Sequence, residues 1–141
     1  MEKENDLIDK LSLSVQVGKL FTAQLIQLSE DSQFRKKLLV DLEGYEEFYS
    51  RIIAIKPKDE DLDSLSDFQK LRNKAMAKMS TITDKSPKKM CDMIIKGLER
   101  GIEELTHALD TEKGEEPRVL SLTNEYRRFL MDKMEEYKNY P

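Results

Sequence analysis

Residues 7–28, LIDKLSLSVQVGKLFTAQLIQL, form the stretch that decides how the rest of the chain folds. Charged residues make up 37% of the whole chain, yet this stretch contains only Asp9, Lys10 and Lys19. At about 100° per residue, its apolar side chains cover most of a helical circumference and leave a narrow polar strip. A helix of this kind is buried on several sides. We therefore predict that it is the central helix of an all-α protein.

Apolar residues recur at helical spacing through the remainder of the chain, between residues that start and stop helices. The first helix should begin at Asn5 or Asp6 and end at Ser29, and the others should cover residues 32–55, 64–83, 87–110 and 117–138. Glu30-Asp31-Ser32 is a short break with new capping residues, Ser64 is a cap for the helix after it, and Ser86-Pro87 places serine at a cap with proline at the first helical position. Lys56-Pro57 stops the second helix, because the residue before proline avoids helical geometry. No stretch alternates as a strand would.

The lengths of the breaks predict the topology. Short breaks follow the first helix and precede the last one, so we expect two antiparallel hairpins. Residues 57–86 would join them as a long crossover that carries an extra short helix. Two hairpins joined by such a crossover form the four-helix bundle of ferritin-like folds. We expect one domain over all 141 residues.

Composition argues against several classes of protein. A net charge of −4, from 24 basic and 28 acidic residues, gives no overall footprint for nucleic acid or an anionic membrane. No apolar run approaches the roughly 20 residues that a membrane span needs. The start, MEKENDLIDK, lacks the features of a signal peptide, and the lone Cys91 fits a reducing compartment. These features favour a cytoplasmic protein that binds neither nucleic acid nor membrane.

Four segments carry a resemblance to a known family. They are the hairpin LIDKLSLSVQVGKLFTAQLIQLSED with LLVDLEGYEEFYSRI, the crossover SLSDFQKLRNKAMAKMSTITDKSP, and the helices IIKGLERGIEELTHALD and LTNEYRRFLMDKMEEY. In this pattern the chain resembles the ferritin-like superfamily, above all its small bacterial families of unknown function. The resemblance implies a bacterial four-helix bundle. It also implies where metal ligands would stand, because metal-binding members use Glu and Glu-x-x-His on the bundle helices.

The chain departs from that ligand pattern. No acid lies between Asp9 and Glu30 on the first helix, and the third residue after Glu46 is Tyr49 where a histidine would be needed. A dinuclear iron or manganese site needs several carboxylates and imidazoles, whereas this chain has one histidine. We therefore expect no dinuclear centre, no cofactor and no enzymatic activity, and predict a protein-interaction or structural protein.

The alternative is a metal- or oxygen-handling ferritin-like protein with an altered ligand set. Its candidate ligands are Asp41, Glu46, Glu99, Glu103 and His107. Residues 104–107 spell Glu-x-x-His, but His107 lies roughly 160° from the middle of the apolar arc of its helix. Glu99, Glu103 and His107 should therefore share a solvent-facing surface.

Asp41 and three glycines interrupt inward-facing stripes. Asp41 should be paired, since a buried carboxylate needs a partner; the partner could be water, a tyrosine hydroxyl or a lysine such as Lys19. A sharper possibility is a vestigial polar site that joins Asp41 with Tyr45 and Ser14. A glycine inside a helix costs about 1 kcal/mol relative to alanine. Close approach of helix backbones, or a small internal pocket, would offset that cost at Gly18, Gly97 and Gly101.

Two surfaces could bind a partner. Seven bases and a single acid, Asp84, lie between Phe68 and Cys91: Lys70, Arg72, Lys74, Lys78, Lys85, Lys88 and Lys89. This stretch is either a solvated basic face or a docking patch for an acidic protein partner or a phosphorylated ligand, through Lys74, Lys78, Lys88 and Lys89. Leu13, Val17 and Leu20 either receive the crossover helix or form a surface for homo-oligomerisation.

Overall fold

The computed structural model describes residues 6–56, 62–111 and 116–141. They form five helices: α1 (Asp6–Leu28), α2 (Ser32–Ile55), α3 (Leu62–Met79), α4 (Pro87–Thr111) and α5 (Pro117–Lys138). No strand occurs in these three ranges. The predicted all-α class is therefore confirmed.

Capping chemistry explains why α2 and α4 begin where the sequence predicted. An Oδ1 atom of Asp31 accepts a hydrogen bond from the backbone N–H of Phe34 at 2.8 Å, and the Arg35 guanidinium donates to the carbonyl of Ser29. Before α4, the Ser86 hydroxyl oxygen accepts from the backbone N–H of Lys89 at 3.3 Å, with Pro87 at the first helical position. Each cap satisfies an N–H group that has no partner within its helix.

The predicted bounds of α3 were wrong at both ends, because the helix begins at Leu62 and ends at Met79 rather than covering 64–83. Two hydroxyls terminate it: Ser80 Oγ donates to the carbonyl of Ala77 at 2.7 Å, and Thr81 Oγ1 donates to that of Lys78 at 2.8 Å. Side chains of this kind compete with the backbone for the last carbonyls of a helix. Ser64 lies inside α3, two residues after its first residue, so its predicted role as the N-cap was wrong. Residues 57–61 of the crossover lie outside the described part of the chain.

The chain divides into two compact units. Residues 12–89 contain most of α1 with α2 and α3, and their core includes Val15, Leu25, Phe34, Leu38 and Ile52. The other unit joins the start of α1 to residues 90–141, and its core includes Leu7, Leu11, Met90, Leu105, Tyr126 and Leu130. A single domain over the whole chain stays a prediction.

The prediction that α1 is buried on several sides is confirmed. From Leu7 to Leu28, only Lys10 and Gln27 are exposed, and the other side chains are buried or half-buried. Apolar burial contributes about 25 cal/mol per Å², so a helix enclosed in this way contributes strongly to stability.

The three glycines have different surroundings. A Cβ atom at Gly18 would collide with the ring of Tyr45 on α2, so a side chain rather than a helix backbone fills this space. At Gly101 a Cβ would make an ordinary contact of 3.5 Å with Leu130 Cδ1. Gly97 is exposed and a Cβ there would meet nothing within 4 Å. The expected close approach of backbones was therefore wrong for Gly97, which lies just outside the buried arc of α4.

Candidate functional site

The surface of α3 is unusually open. Of its side chains from 68 to 79, only Met79 is buried, while Phe68 and Ala75 are half-buried. Leu71 and Met76 are 38% and 37% exposed. The same stretch, FQKLRNKAMAKM, contains no acidic residue. Between residues 68 and 79 the exposed surface of α3 therefore carries cations and two apolar side chains but no acid.

Four cations of α3 are exposed, and three of them, Lys70, Lys74 and Lys78, form what we name its basic face, whereas Arg72 lies about 160° from the middle of that row. The three lysines are spaced by four residues, so they share one side of the helix over about 12 Å. Within the described part of the chain, none of the four side chains forms an ion pair or a hydrogen bond. Their charges are thus available to a partner.

The turn after α3 holds the single acid of this region in place. Asp84 Oδ1 accepts a hydrogen bond from the backbone N–H of Ser86 at 3.0 Å. This bond, and to a smaller extent the Ser86 hydroxyl and the cation of Lys89, lowers the pKa of the Asp84 carboxyl. Lys88 and Lys89 are exposed in the first turn of α4. All four lysines of the predicted docking patch are therefore exposed, with Lys74 and Lys78 on α3 and the other pair beyond the turn.

A second polar group lies inside the unit of residues 12–89. Asp41 is only 3% exposed, which confirms its predicted inward position, and its Oδ1 atom lies 3.2 Å from Lys37 Nζ. Sequence reasoning missed Lys37, although its spacing of four residues from Asp41 was the signal for this pair. Lys19, the lysine predicted as a possible partner of Asp41, instead has its Nζ atom 4.5 Å from the ring centroid of Tyr49. This is a cation–π geometry.

Tyr45 belongs to the same buried polar group as Asp41 and Lys37, which we name the inner group. It is 7% exposed, and burial together with the charge of Asp41 raises the pKa of its phenol above the ordinary value. A phenol that holds its proton more tightly is a weaker acid, so Tyr45 stays protonated at neutral pH. Ser14 is half-buried, and its predicted approach to Asp41 stays a prediction.

Of the five residues in the altered metal-ligand set, only Asp41 is buried; Glu46, Glu99, Glu103 and His107 are exposed. The solvent-facing positions of Glu99, Glu103 and His107 were predicted from the helical period. Across residues 6–56, 62–111 and 116–141, no group of three or more His, Cys, Asp or Glu side chains could hold a metal ion.

The role predicted for Leu13, Val17 and Leu20, to receive the crossover helix or to form a surface for homo-oligomerisation, stays a prediction, and two other apolar residues are more exposed. Leu13, Val17 and Leu20 are half-buried, whereas Leu39 and Val40 on α2 are 46% and 60% exposed. The sequence analysis did not single out these two residues. Val40 is nevertheless in phase with Lys36, Glu43 and Glu47, which lie on the outer side of α2.

Arg127 on α5 is a further residue that the sequence did not single out. Its Nη1 atom donates a hydrogen bond to Thr106 Oγ1 on α4 at 3.1 Å. Its Nε atom is buried and has no hydrogen-bond partner among the described residues. Because a buried donor without a partner loses its hydration, this arginine holds α4 and α5 together at some energetic cost.

The fold and its basic helix face define an all-α protein with a candidate docking surface. Comparisons of the chain with models of known protein families, with curated proteins and with solved structures found no match. Among the described helices, none combines the length and the apolar character needed to cross a membrane.

Proposed function

We propose that the protein is a non-enzymatic, ferritin-like four-helix bundle that binds an acidic protein partner. The bundle would consist of two antiparallel hairpins joined by the crossover at 57–86, without a dinuclear metal centre. The order and bounds of the five helices support this topology. The single cysteine, Cys91, is buried and forms no internal disulfide, which supports a reducing compartment such as the cytoplasm of a bacterium.

The observation that carries this proposal is the basic face of α3. Lys70, Arg72, Lys74 and Lys78 have no partner within the described chain, and the exposed Leu71 lies beside Lys74 and Lys78 on the same side of the helix. Apolar side chains contribute affinity when a partner covers them, and surrounding charges set orientation and association rate. A helix with both features at its surface fits a protein partner of opposite charge.

Protein is a better candidate than nucleic acid for two physical reasons. The chain carries a net charge of −4, so the field beyond the patch repels a polyanion. Single-stranded nucleic acid also binds through stacking on aromatic side chains, and the exposed residues between 69 and 78 include no aromatic residue.

The test uses a fluorescent synthetic amphipathic peptide of glutamate and leucine, with glutamine in place of glutamate as its uncharged counterpart. The first variant combines Lys74→Gln, Lys78→Gln, Lys88→Gln and Lys89→Gln. The control removes four exposed cations from α4 and α5: Lys96→Gln, Arg100→Gln, Arg128→Gln and Lys138→Gln.

We expect fluorescence anisotropy to show binding of the acidic peptide by the unaltered chain and the control, and a loss of about tenfold or more in the first variant, since several screened ion pairs are removed together. A short DNA duplex should bind weakly at physiological salt. Equal binding by both variants, or stronger binding of the duplex than of the peptide, would refute the proposal.

A further inference from the structure

The outer side of α2 bears an acidic counterpart to the basic face of α3. Glu43, Glu46 and Glu47 are exposed there, beside the exposed Leu39 and Val40. None of the three glutamates forms an ion pair or a hydrogen bond within the described residues. We name these five exposed side chains between positions 39 and 47 the acidic face of α2.

The two faces are opposite in charge and equal in length, and each has apolar side chains beside its charges. The acidic face runs from 39 to 47 and the lysine row of the basic face from 70 to 78, so each covers eight residue steps, or about 12 Å of helix. The acidic face includes two exposed apolar side chains, Leu39 and Val40, and the basic face has one beside it, Leu71. Charges that lack a partner within the chain therefore have partners of the right sign and spacing on another copy of it.

The charge distribution along the chain points the same way. Residues 68–91 hold seven bases and one acid, a net charge of +6, so the remaining residues carry −10 against the overall −4. Outside its basic segment, this chain is itself an acidic protein.

Resting on the proposed function, we infer that the acidic partner of α3 is a second copy of this chain. The basic face of α3 in one copy packs against the acidic face of α2 in the other, with the apolar side chains between the helices and the charges around them. In a two-fold dimer each copy supplies both faces, so the contact forms twice. Charge-rimmed contacts of this size belong to the weak end of protein interfaces, and added salt screens them.

The experiment measures self-association of the full chain by sedimentation velocity over a range of protein concentrations. One variant reverses the basic face, Lys74→Glu with Lys78→Glu, and another reverses the acidic face, Glu43→Lys with Glu47→Lys. The chain provides matched controls at the same four-residue spacing on the exposed side of α4: Lys96→Glu with Arg100→Glu, and Glu99→Lys with Glu103→Lys.

We expect the unaltered chain to form dimers whose dissociation constant rises about tenfold or more between roughly 0.05 M and 0.5 M salt, because the Debye length shortens. Each reversed variant alone should be monomeric, and both controls should associate as the unaltered chain does. An equimolar mixture of the two reversed variants should form dimers again, since the acidic α3 of one then faces the basic α2 of the other.

Four results would overturn the inference: a monomeric unaltered chain at low salt, association that ignores salt, controls that lose association equally, or a mixture that stays monomeric. Circular dichroism verifies that each variant is helical. If a variant does not fold, the salt dependence of dimer formation by the unaltered chain still tests the inference. If the chain is monomeric but still binds the acidic peptide through its lysines, only the second copy as partner is refuted. If the chain is monomeric and also fails to bind the acidic peptide, the proposed function is refuted as well.

Discussion

Alanine at position 18 tests how closely α1 and α2 pack in the unit of residues 12–89. The added Cβ would lie 2.8 Å from Tyr45 Cδ1 and 2.9 Å from Cζ, and closer still to Cε1. Non-bonded carbon atoms prefer about 3.5–4.0 Å. The ring of Tyr45 cannot simply swing into solvent, because this residue is buried. Either the two helices separate or the ring leaves its preferred rotamer.

Two opposing effects set the change in the free energy of unfolding that Gly18→Ala should cause. Alanine is favoured over glycine in a helix interior by about 1 kcal/mol. Forcing extra volume into a packed site costs about 1–3 kcal/mol, and contact with three ring atoms puts Gly18 in the upper part of that range. We therefore expect Gly18→Ala to lower the free energy of unfolding by about 1–2 kcal/mol.

The same substitution elsewhere in the chain provides the control. At Gly97 the new methyl group meets nothing within 4 Å, so Gly97→Ala should raise the free energy of unfolding by about 1 kcal/mol. At Gly101 the nearest atom, Leu130 Cδ1, is 3.5 Å away, and the expected gain there is about 0.5–1 kcal/mol.

Urea unfolding followed by circular dichroism measures all three variants, with a common slope of about 1–3 kcal/mol per M. A double-mutant cycle with Tyr45→Leu isolates the contact, because a smaller side chain leaves room for the methyl group and should reduce the Gly18→Ala penalty. The reasoning fails if Gly18→Ala stabilises the chain as Gly97→Ala does, or if its penalty is unchanged beside Tyr45→Leu.

Three further predictions follow from the inner group, from a cap and from the proposed lack of a metal centre. The raised pKa of Tyr45 means that its proton stabilises the fold fully below the ordinary tyrosine pKa of about 10 and less as pH rises above it. Relative to Tyr45→Phe, the unaltered chain should therefore lose stability above about pH 10, and a constant difference in urea midpoints across that range would contradict this. Asp31→Ala removes the hydrogen bond to the Phe34 N–H and should cost about 1 kcal/mol in urea unfolding, whereas Asp31→Asn, which keeps an acceptor, should change little. Elemental analysis of gently purified protein should find metal well below one ion per chain, and a stoichiometric ion would instead support the altered ligand set.

Helix order and most helix bounds were predictable because local chemistry decides them. Asp31 and Ser86-Pro87 mark the starts of α2 and α4 in the sequence, and Lys56-Pro57 marks the end of α2. The end of α3 was not predictable in this way. Apolar residues keep helical spacing as far as Ile82, while the hydroxyls of Ser80 and Thr81 bond back to carbonyls of the last turn. A pattern of apolar residues does not reveal that competition.

The interior of the unit of residues 12–89 was predictable only in part. The helical period places Asp41 and Gly18 on inward sides, and both positions were anticipated. Which lysine pairs with Asp41, and whether a backbone or the Tyr45 ring fills the space at Gly18, depends on how two helices meet. Those contacts arise from tertiary packing, which periodicity along one helix does not contain.

The open setting of α3 gives this helix a measurable signature of its own. From 68 to 79 only Met79 is buried, so this part of the helix depends mainly on its own backbone hydrogen bonds, and isolated helices of this length are marginal in water. Its amide hydrogens should exchange with deuterium through local opening, well before those of α2, whose stripe of buried side chains includes Phe34, Leu38 and Ile52. Any molecule that settles on α3 would slow that exchange, so deuterium uptake in this one helix reports occupancy without a label.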